Sequence, residues 1–353
     1  MHSVVNRDKN LCVIYVDMGT TNTRAWLLRG DEILLRLSRS TGVRDTARDG
    51  SPAKLRTALK ELIAELESQD GSSIWHSDPG IRPVDHAQDA CATWVAAAGM
   101  ISSSLGLAEL PHVAAPAGVA EIAGASRFFD CPDITGLPIL LVPGVRCGPN
   151  KVGCDSLDRV DVMRGEEVLC LGLLQLGRLK PPGVVLNLGS HWKAVRLNRE
   201  GQIESSITSL SGELIHAAQT QTILASSLTA DRPARLARQW IEAGMKEQRR
   251  SGLSRALFSV RLLELADQGT PSERFSFLVG AFISSDLGPL FAKGMLSNAE
   301  PVVITGSPAI AESWREVLAH RSVRSVVVTA DETEQAFLAG LKSILVESLE
   351  RAN

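Results

Sequence analysis

Apolar residues run in short blocks along this chain, and glycines and hydroxyl residues break them. Residues 13–16 are continuously apolar, Asp17 follows, and then come Gly19 and the polar cluster Thr20, Thr21, Asn22 and Thr23. A second apolar run at 25–28 leads into Arg29-Gly30-Asp31. This grammar is strand, tight turn, strand, turn. Leu55, Leu59, Leu62 and Leu66 recur at helical spacing, and Ser51-Pro52 supplies a cap and a first turn. Residues 94–101 and 139–142 read as buried strands, and 111–118 as an extended loop. A helix opens at 209–213 and runs to about 228. Two charged amphipathic helices over 231–268 divide at Ser251-Gly252, and a long Gly-, Ala- and Ser-rich helix covers 275–296. A strand over 301–308 ends in Thr305-Gly306-Ser307 with a helix directly behind it, and 325–329 is the last strand. Asp331, with Glu334 three residues on, predicts a capped final helix.

The first hairpin has a second copy. An offset of 170 positions carries Gly19 onto Gly189, Thr20 onto Ser190, Leu27 onto Leu197 and Ile33 onto Ile203. A repeat at that distance predicts two related domains, and 353 residues suit two domains. Paired glycine hairpins facing one another across a cleft are the design of the actin, hexokinase and Hsp70 superfamily. The expected fold is therefore α/β, with two related actin-like (ribonuclease H-like) domains and an interdomain active-site cleft. The expected divisions are an N-terminal domain over 1–150, a connecting segment over 151–182, a C-terminal domain over 183–330, and a helix over 331–353 packing back towards the first domain.

Composition narrows the function classes. A net charge of −3 gives no electrostatic footprint for nucleic acid, and one Tyr with six scattered Trp gives no stacking platform. No run approaches the ~18 apolar residues of a membrane span. Residues 1–10 lack the apolar core of a signal peptide, so a cytoplasmic location is expected. Six cysteines, none in a C-x-x-C pair, read as free thiols.

Several stretches carry candidate chemistry. Gly19 lets turn amides approach an anion closely, and Asp17 at the strand end could hold a hydrated Mg²⁺ beside a phosphate. Asp161, Arg164, Glu166 and Glu167 sit just before an apolar helical run. They read equally as acids at a helix N-terminus, or as a base with a bidentate guanidinium clamp. His191 and Lys193 follow Gly189 in the second turn and could meet phosphate oxygens or a carboxylate. Residues 146–158 form a polar loop. Gly306 and Ser307, between a strand and a helix N-terminus, suit phosphate or ribose.

Together these segments resemble the 2-dehydro-3-deoxygalactonokinase family of bacterial sugar-acid kinases. The matching stretches are VDMGTTNTRAWLL at 16–28, AAGMISSSLG at 97–106, VPGV at 142–145, DVMRGEEVLCLG at 161–172 and GSHWKAV at 189–195. They continue with SGELIHAAQTQTIL at 211–224, FLVGAFISSDL at 277–287, VITGSPAIAESW at 303–314 and ETEQAFLAGLKSI at 332–344. The resemblance implies ATP-dependent phosphorylation of 2-dehydro-3-deoxy-D-galactonate at O6, with ATP and Mg²⁺ as cofactors. It implies small-molecule partners only, no nucleic acid and no membrane, and is compatible with a homodimer. It implies phosphate grip by Gly19, Thr20 and Thr21 and by Gly189, Ser190 and His191, with Asp17 positioning Mg²⁺ through water. Gly306 and Ser307 would line adenosine. Arg24, Ala98, Gly99, Met100, Arg164, His191 and Lys193 would surround the sugar acid, with Glu166 or Asp161 as base. The chain departs from the family at the second hairpin. There the family usually has Pro-Gly-Thr-His, then Ser or Cys, then Lys-Trp. Leu188, Ser190, Trp192 and Ala194 stand at the changed positions, and a bulky Trp192 is expected to reshape the sugar pocket. A kinase for another sugar or sugar acid, or a non-catalytic binder on the same scaffold, are the alternative readings.

Overall fold

In the computed structural model, residues 11–68 and 92–352 are described; the N-terminal segment 1–10 and Cys91 lie outside them. The chain divides into two units. The first comprises the residues up to Arg146, Val162–Gly172 and the chain from Phe337. The second comprises Cys147–Asp161 and Leu173–Ala336.

The chain opens with β1 (Cys12–Met18), β2 (Thr23–Arg29) and β3 (Glu32–Arg39), then α1 (Val43–Asp49), α2 (Ala53–Ser68) and β4 (Trp94–Gly99). Next come β5 (Val113–Ala114), α3 (Val119–Ala125), β6 (Arg127–Phe129), β7 (Ile139–Leu141), β8 (Val145–Cys147), β9 (Asp161–Met163) and α4 (Glu166–Gln175). Six strands join in the order β3-β2-β1-β4-β7-β6, and β5, β8 and β9 make a separate small sheet. The leucines of α2 fall where their spacing puts them: Leu55, Leu59, Leu62 and Leu66 are buried against Ile14, Val16 and Leu27. Ser51 Oγ accepts the Ala53 amide at 3.3 Å, as a cap.

The chain continues with β10 (Gly183–Leu188), β11 (Trp192–Leu197), β12 (Ile203–Ser209), α5 (Ser211–Thr220), α6 (Arg238–Ser251), α7 (Leu253–Leu265) and α8 (Pro271–Ala292). It closes with β13 (Val302–Gly306), α9 (Pro308–Ala319), β14 (Ser325–Val327) and α10 (Ala330–Ala352). The second sheet has the order β12-β11-β10-β13-β14. Each unit thus repeats three antiparallel strands followed by a fourth strand parallel to the first, which is the actin-like arrangement expected from the repeat.

Three details differ from the sequence expectation. The two turns are not of equal length: Met18 pairs with Thr23 across the first and Leu188 with Trp192 across the second. The 170-residue offset therefore fails inside the hairpin. Leu27, opposite Ile14, corresponds to Arg196, opposite Val184, and not to Leu197. The last helix is capped two residues earlier than Asp331. Thr329 Oγ1 accepts the Glu332 amide and Glu332 Oε2 accepts the Thr329 amide, at 3.2 and 2.8 Å, because the preceding strand already ends at Val327. Finally, α8 is long and apolar enough to pass for a membrane span. Its burial explains that composition: Arg274 through Ser284 are all buried in the core of the second unit. Among the described residues, Cys12, Cys131, Cys147, Cys154 and Cys170 are in no disulfide.

Candidate active site

In the first unit the chemistry gathers at the end of β1. The Gly19 amide donates to Asn22 O at 2.8 Å and closes the turn. The turn's carbonyls are taken up from behind: Val43 N donates to Gly19 O and Arg44 N to Thr20 O, at 3.3 and 2.9 Å. Among the described residues, no partner accepts the Thr20 and Thr21 amides. Buried or half-buried donors left open in this way are what an anion site presents.

Asp17 lies below this turn, opposite Arg24 on β2 and Ala98 on β4. Glycines clear the space around it. Gly99 has φ +86°, and a Cβ there would lie 2.5 Å from Met18 O and 3.3 Å from Asp17 Oδ1. Gly165 has φ +105°, and its Cβ would come within 3.4 Å of the Gly99 Cα. Desolvation pushes the Asp17 carboxyl up to about 6, Arg24 draws it down, and the charge of Glu166 raises it again. Glu166, half-buried at the start of α4, lies close enough for its charge to act on Asp17.

The remaining residues of the acidic stretch have separate tasks. Glu167 is fully buried and accepts the Gly165 amide with both oxygens, at 2.8 and 2.9 Å. Arg164 donates to Ser102 Oγ at 2.9 Å and to Leu110 O at 2.8 Å, and burial lowers its pKa. Its guanidinium fixes the segment after β4. Asp161 Oδ2 accepts the hydroxyls of Ser206 and Thr208 on β12, at 2.6 and 2.9 Å. The sequence ranked Asp161 and Glu166 together; the fold ties Asp161 to a strand and leaves Glu166 by the glycine-lined space.

The second unit repeats the backbone with other side chains. Gly306 has φ +117°, and its Cβ would meet Leu188 O at 2.5 Å, as Gly99 meets Met18. Asn187 stands where Asp17 stands, and its Oδ1 accepts the Thr305 hydroxyl at 2.9 Å. His191 Nε2 lies 3.3 Å from Glu213 Oε2. Lys193 is only 4% exposed, paired with Asn187 and Thr208 on its neighbouring strands. Arg24, its counterpart on β2, is exposed. Trp192 is 3% exposed. It points into the core, with its ring 5.8 Å from that of Trp314 in an edge-to-face pair. Alternation along β11 sends Trp192 to the face opposite Lys193, so the expectation that it reshapes a sugar pocket is corrected.

Sequence reasoning reached Gly306 and Ser307 but missed a cavity at the helix that follows them. A cavity of 820 Å³ in the second unit is lined by Pro308, Ala309 and Ser313 of α9 and by Arg238, Met245 and Arg249 of α6. Arg249 belongs to a run of charges that reads as a solvated face. The available signal was the placement of Ile241 and Met245 on the same helix, which marks a partly apolar wall.

Comparisons with known proteins agree with this architecture. A family model described as 2-keto-3-deoxy-galactonokinase matches residues 17–344. A Rhizobium meliloti protein named probable 2-dehydro-3-deoxygalactonokinase is 27% identical over 328 residues, covering 92% of this chain and 94% of that protein. The Escherichia coli 2-dehydro-3-deoxygalactonokinase is 26% identical over 336 residues, covering 94% and 96%. A crystal structure from Sinorhizobium meliloti, of a protein described as a 2-dehydro-3-deoxygalactonokinase, aligns with a TM-score of 0.71 at 23% identity over 94% of this chain and 95% of that one. With nearly its whole length matched by that model, the chain belongs to the 2-keto-3-deoxy-galactonokinase family.

Proposed function

We propose that this protein transfers the γ-phosphoryl group of ATP to the O6 hydroxyl of 2-dehydro-3-deoxy-D-galactonate. The observation that carries the reading is the Asp17 carboxyl beneath open turn amides, with Glu166 beside it. Phosphoryl transfer asks for positioning and charge neutralisation more than for covalent chemistry, and this arrangement offers both. The names borne by the relatives supply the substrate class.

The donor set fits a hydrated cation. Among the described residues, no group of three metal-ligating side chains occurs, and Mg²⁺ in such enzymes needs only one or two carboxylates together with water and phosphates. When bound beside Asp17, Mg²⁺ would neutralise phosphate charge during transfer. The glycine turns at 19–21 and 189–191 serve phosphate oxygens through their amides. The cavity along α9, the helix that follows Gly306 and Ser307, suits the adenosine end, because its walls mix apolar carbon with arginine. Glu166 orients the attacking hydroxyl and accepts its proton. Arg164, through Ser102 and Leu110, holds the segment carrying Ala98, Gly99 and Met100 near the sugar. Arg24, His191 and Lys193 are the cationic or hydrogen-bonding groups for an acid substrate.

ADP release against a panel of 2-keto-3-deoxy acids, hexonates and neutral sugars tests the reading. Turnover confined to the 2-keto-3-deoxy acid of galactonate supports it. Turnover of another sugar with none of this acid replaces the substrate, and tight ATP binding with no ADP released from any of them overturns catalysis.

A further inference from the structure

Asp286 has no part in the reaction outlined above, yet it is a carboxylate on the core helix α8 with its acceptor oxygen spent on two hydroxyls. Oδ2 accepts Ser209 Oγ at 2.6 Å and Ser211 Oγ at 2.7 Å, and the two hydroxyls lie 3.0 Å apart. Both serines flank the second glycine turn. Ser209 ends β12 directly opposite Trp192, the residue that leaves the turn. Ser211 begins α5, and the next residue, Gly212, lies so close beneath the turn that a Cβ would come 2.1 Å from Gly189 O and 2.7 Å from Ser190 O.

The first unit solves the same problem by other means. Gly42 packs beneath its turn in the same way, 2.6 Å from Gly19 O and 2.5 Å from Thr20 O for an added Cβ. There the backbone itself makes the tie, through the Val43 and Arg44 amides, and Asp45 Oδ2 accepts the Gly42 amide at 3.2 Å. No such backbone bonds join α5 to the Gly189 turn among the described residues. A half-buried carboxylate costs stability unless its hydrogen bonds compensate. Burial raises the Asp286 pKa, and only the two serine hydroxyls offset it. A helix interior needs no acid for packing.

We propose that Asp286 is the positioning residue of the second phosphate turn, holding β12 and the first turn of α5 in the register that keeps the Gly189–His191 amides aimed at a nucleotide. The assignment of that turn to phosphate rests on the proposed function; the tether does not. The anchor works through Ser209 and Ser211, and Asp286 itself touches no substrate.

Hydrogen–deuterium exchange on the full chain without nucleotide, comparing wild type with Asp286→Ala, Asp286→Asn and the double variant Ser209→Ala/Ser211→Ala, reads the tether directly. Asp286→Ala and the double variant should exchange faster at 189–192 and 211–215, with α2 unchanged. Asp286→Asn keeps an acceptor oxygen and should stay near wild type. In turnover, Asp286→Ala should raise KM for ATP about 10-fold, as a displaced contact does, and leave KM for the sugar acid and most of kcat in place. Equal exchange in all four proteins overturns the tether. Faster exchange with an unaltered KM for ATP overturns its role in nucleotide binding. If Asp286→Ala does not fold, the serine double variant carries both readouts. A wild type that binds no ATP counts against the proposed function alone, since the exchange comparison needs no nucleotide.

Discussion

The two glycine turns share a backbone and differ in what lies under it. In each, the first strand ends one residue before a glycine turn, a second glycine stacks beneath from a following helix, and the fourth strand ends in a glycine of positive φ. Under the first turn sits Asp17, with glycines around it, the charge of Glu166 acting on it and, among the described residues, no hydrogen bond to its carboxyl. Under the second sits Asn187, neutral and already engaged by Thr305. The difference teaches that the two units share the turn backbone and differ in the group directly beneath it, a carboxyl in one and an amide in the other. Under the proposed function, the amides of either turn would meet phosphate, and the cation would sit beside Asp17.

The strongest test of that asymmetry sets Glu166→Gln against Asp161→Asn. Loss of a general base costs roughly 10²- to 10⁴-fold in rate, so kcat of the Glu166 variant should fall in that range. Asp161→Asn keeps an acceptor for Ser206 and Thr208 and should lose far less. Near-full turnover in both variants, with folding checked by circular dichroism, would remove the acidic stretch from the mechanism.

Asp17→Asn makes the first unit resemble the second. Turnover should drop by about 10²- to 10³-fold, the usual effect of losing one charge-stabilising group. Stability should move the other way. A folded-state pKa raised from 3.8 to about 6 means the fold prefers the protonated acid. Its contribution is fully present below the unfolded value and is lost as pH rises through about 6. Above that, ionised Asp17 costs up to about 3 kcal/mol. The variant should therefore melt higher than wild type at pH 8, with the gap closing by pH 4. The reciprocal Asn187→Asp should melt lower than wild type at pH 8 and recover on acidification. Melts that do not respond to pH in either variant would break the comparison.

Gly99→Ala and Gly306→Ala probe the shared backbone. Each puts a Cβ about as close to a carbonyl oxygen as its counterpart does, at positive φ. Each should cost on the order of 1–3 kcal/mol by denaturant unfolding, and similar costs would sharpen the equivalence. The smallest effect is expected from Trp192→Phe. It trims the edge-to-face pair with Trp314, worth about 1 kcal/mol, and should leave KM for the sugar acid unchanged. A several-fold change in that KM would return Trp192 to the pocket.

Much of this was legible beforehand, for a physical reason. Strand and helix positions followed from short continuous apolar runs and period-3.6 burial, as in 13–16 and along the leucines of α2. The turns at Gly19 and Gly189 announced themselves because only certain residues accept their geometry. What spacing could not show was direction. Glu166 and Glu167 are adjacent, yet one is half-buried with its charge felt at Asp17 and the other is buried as a cap for Gly165. Trp192 and Lys193 are adjacent as well, and strand alternation sends them to opposite faces. The α6–α9 cavity and the Asp286 tether join residues far apart in the chain, where no local pattern marks them.

The sequence by itself determined the two-unit α/β plan and the duplicated glycine hairpins, because backbone-specific residues and hydrophobic period are properties of short stretches, and it carried the kinase family through the motifs that resemble it. Only the tertiary structure decided which acid stands beside Asp17, which arginine is consumed in scaffolding, and how each turn is held from beneath. Those outcomes depend on which groups lose water together, and that is settled when distant segments pack.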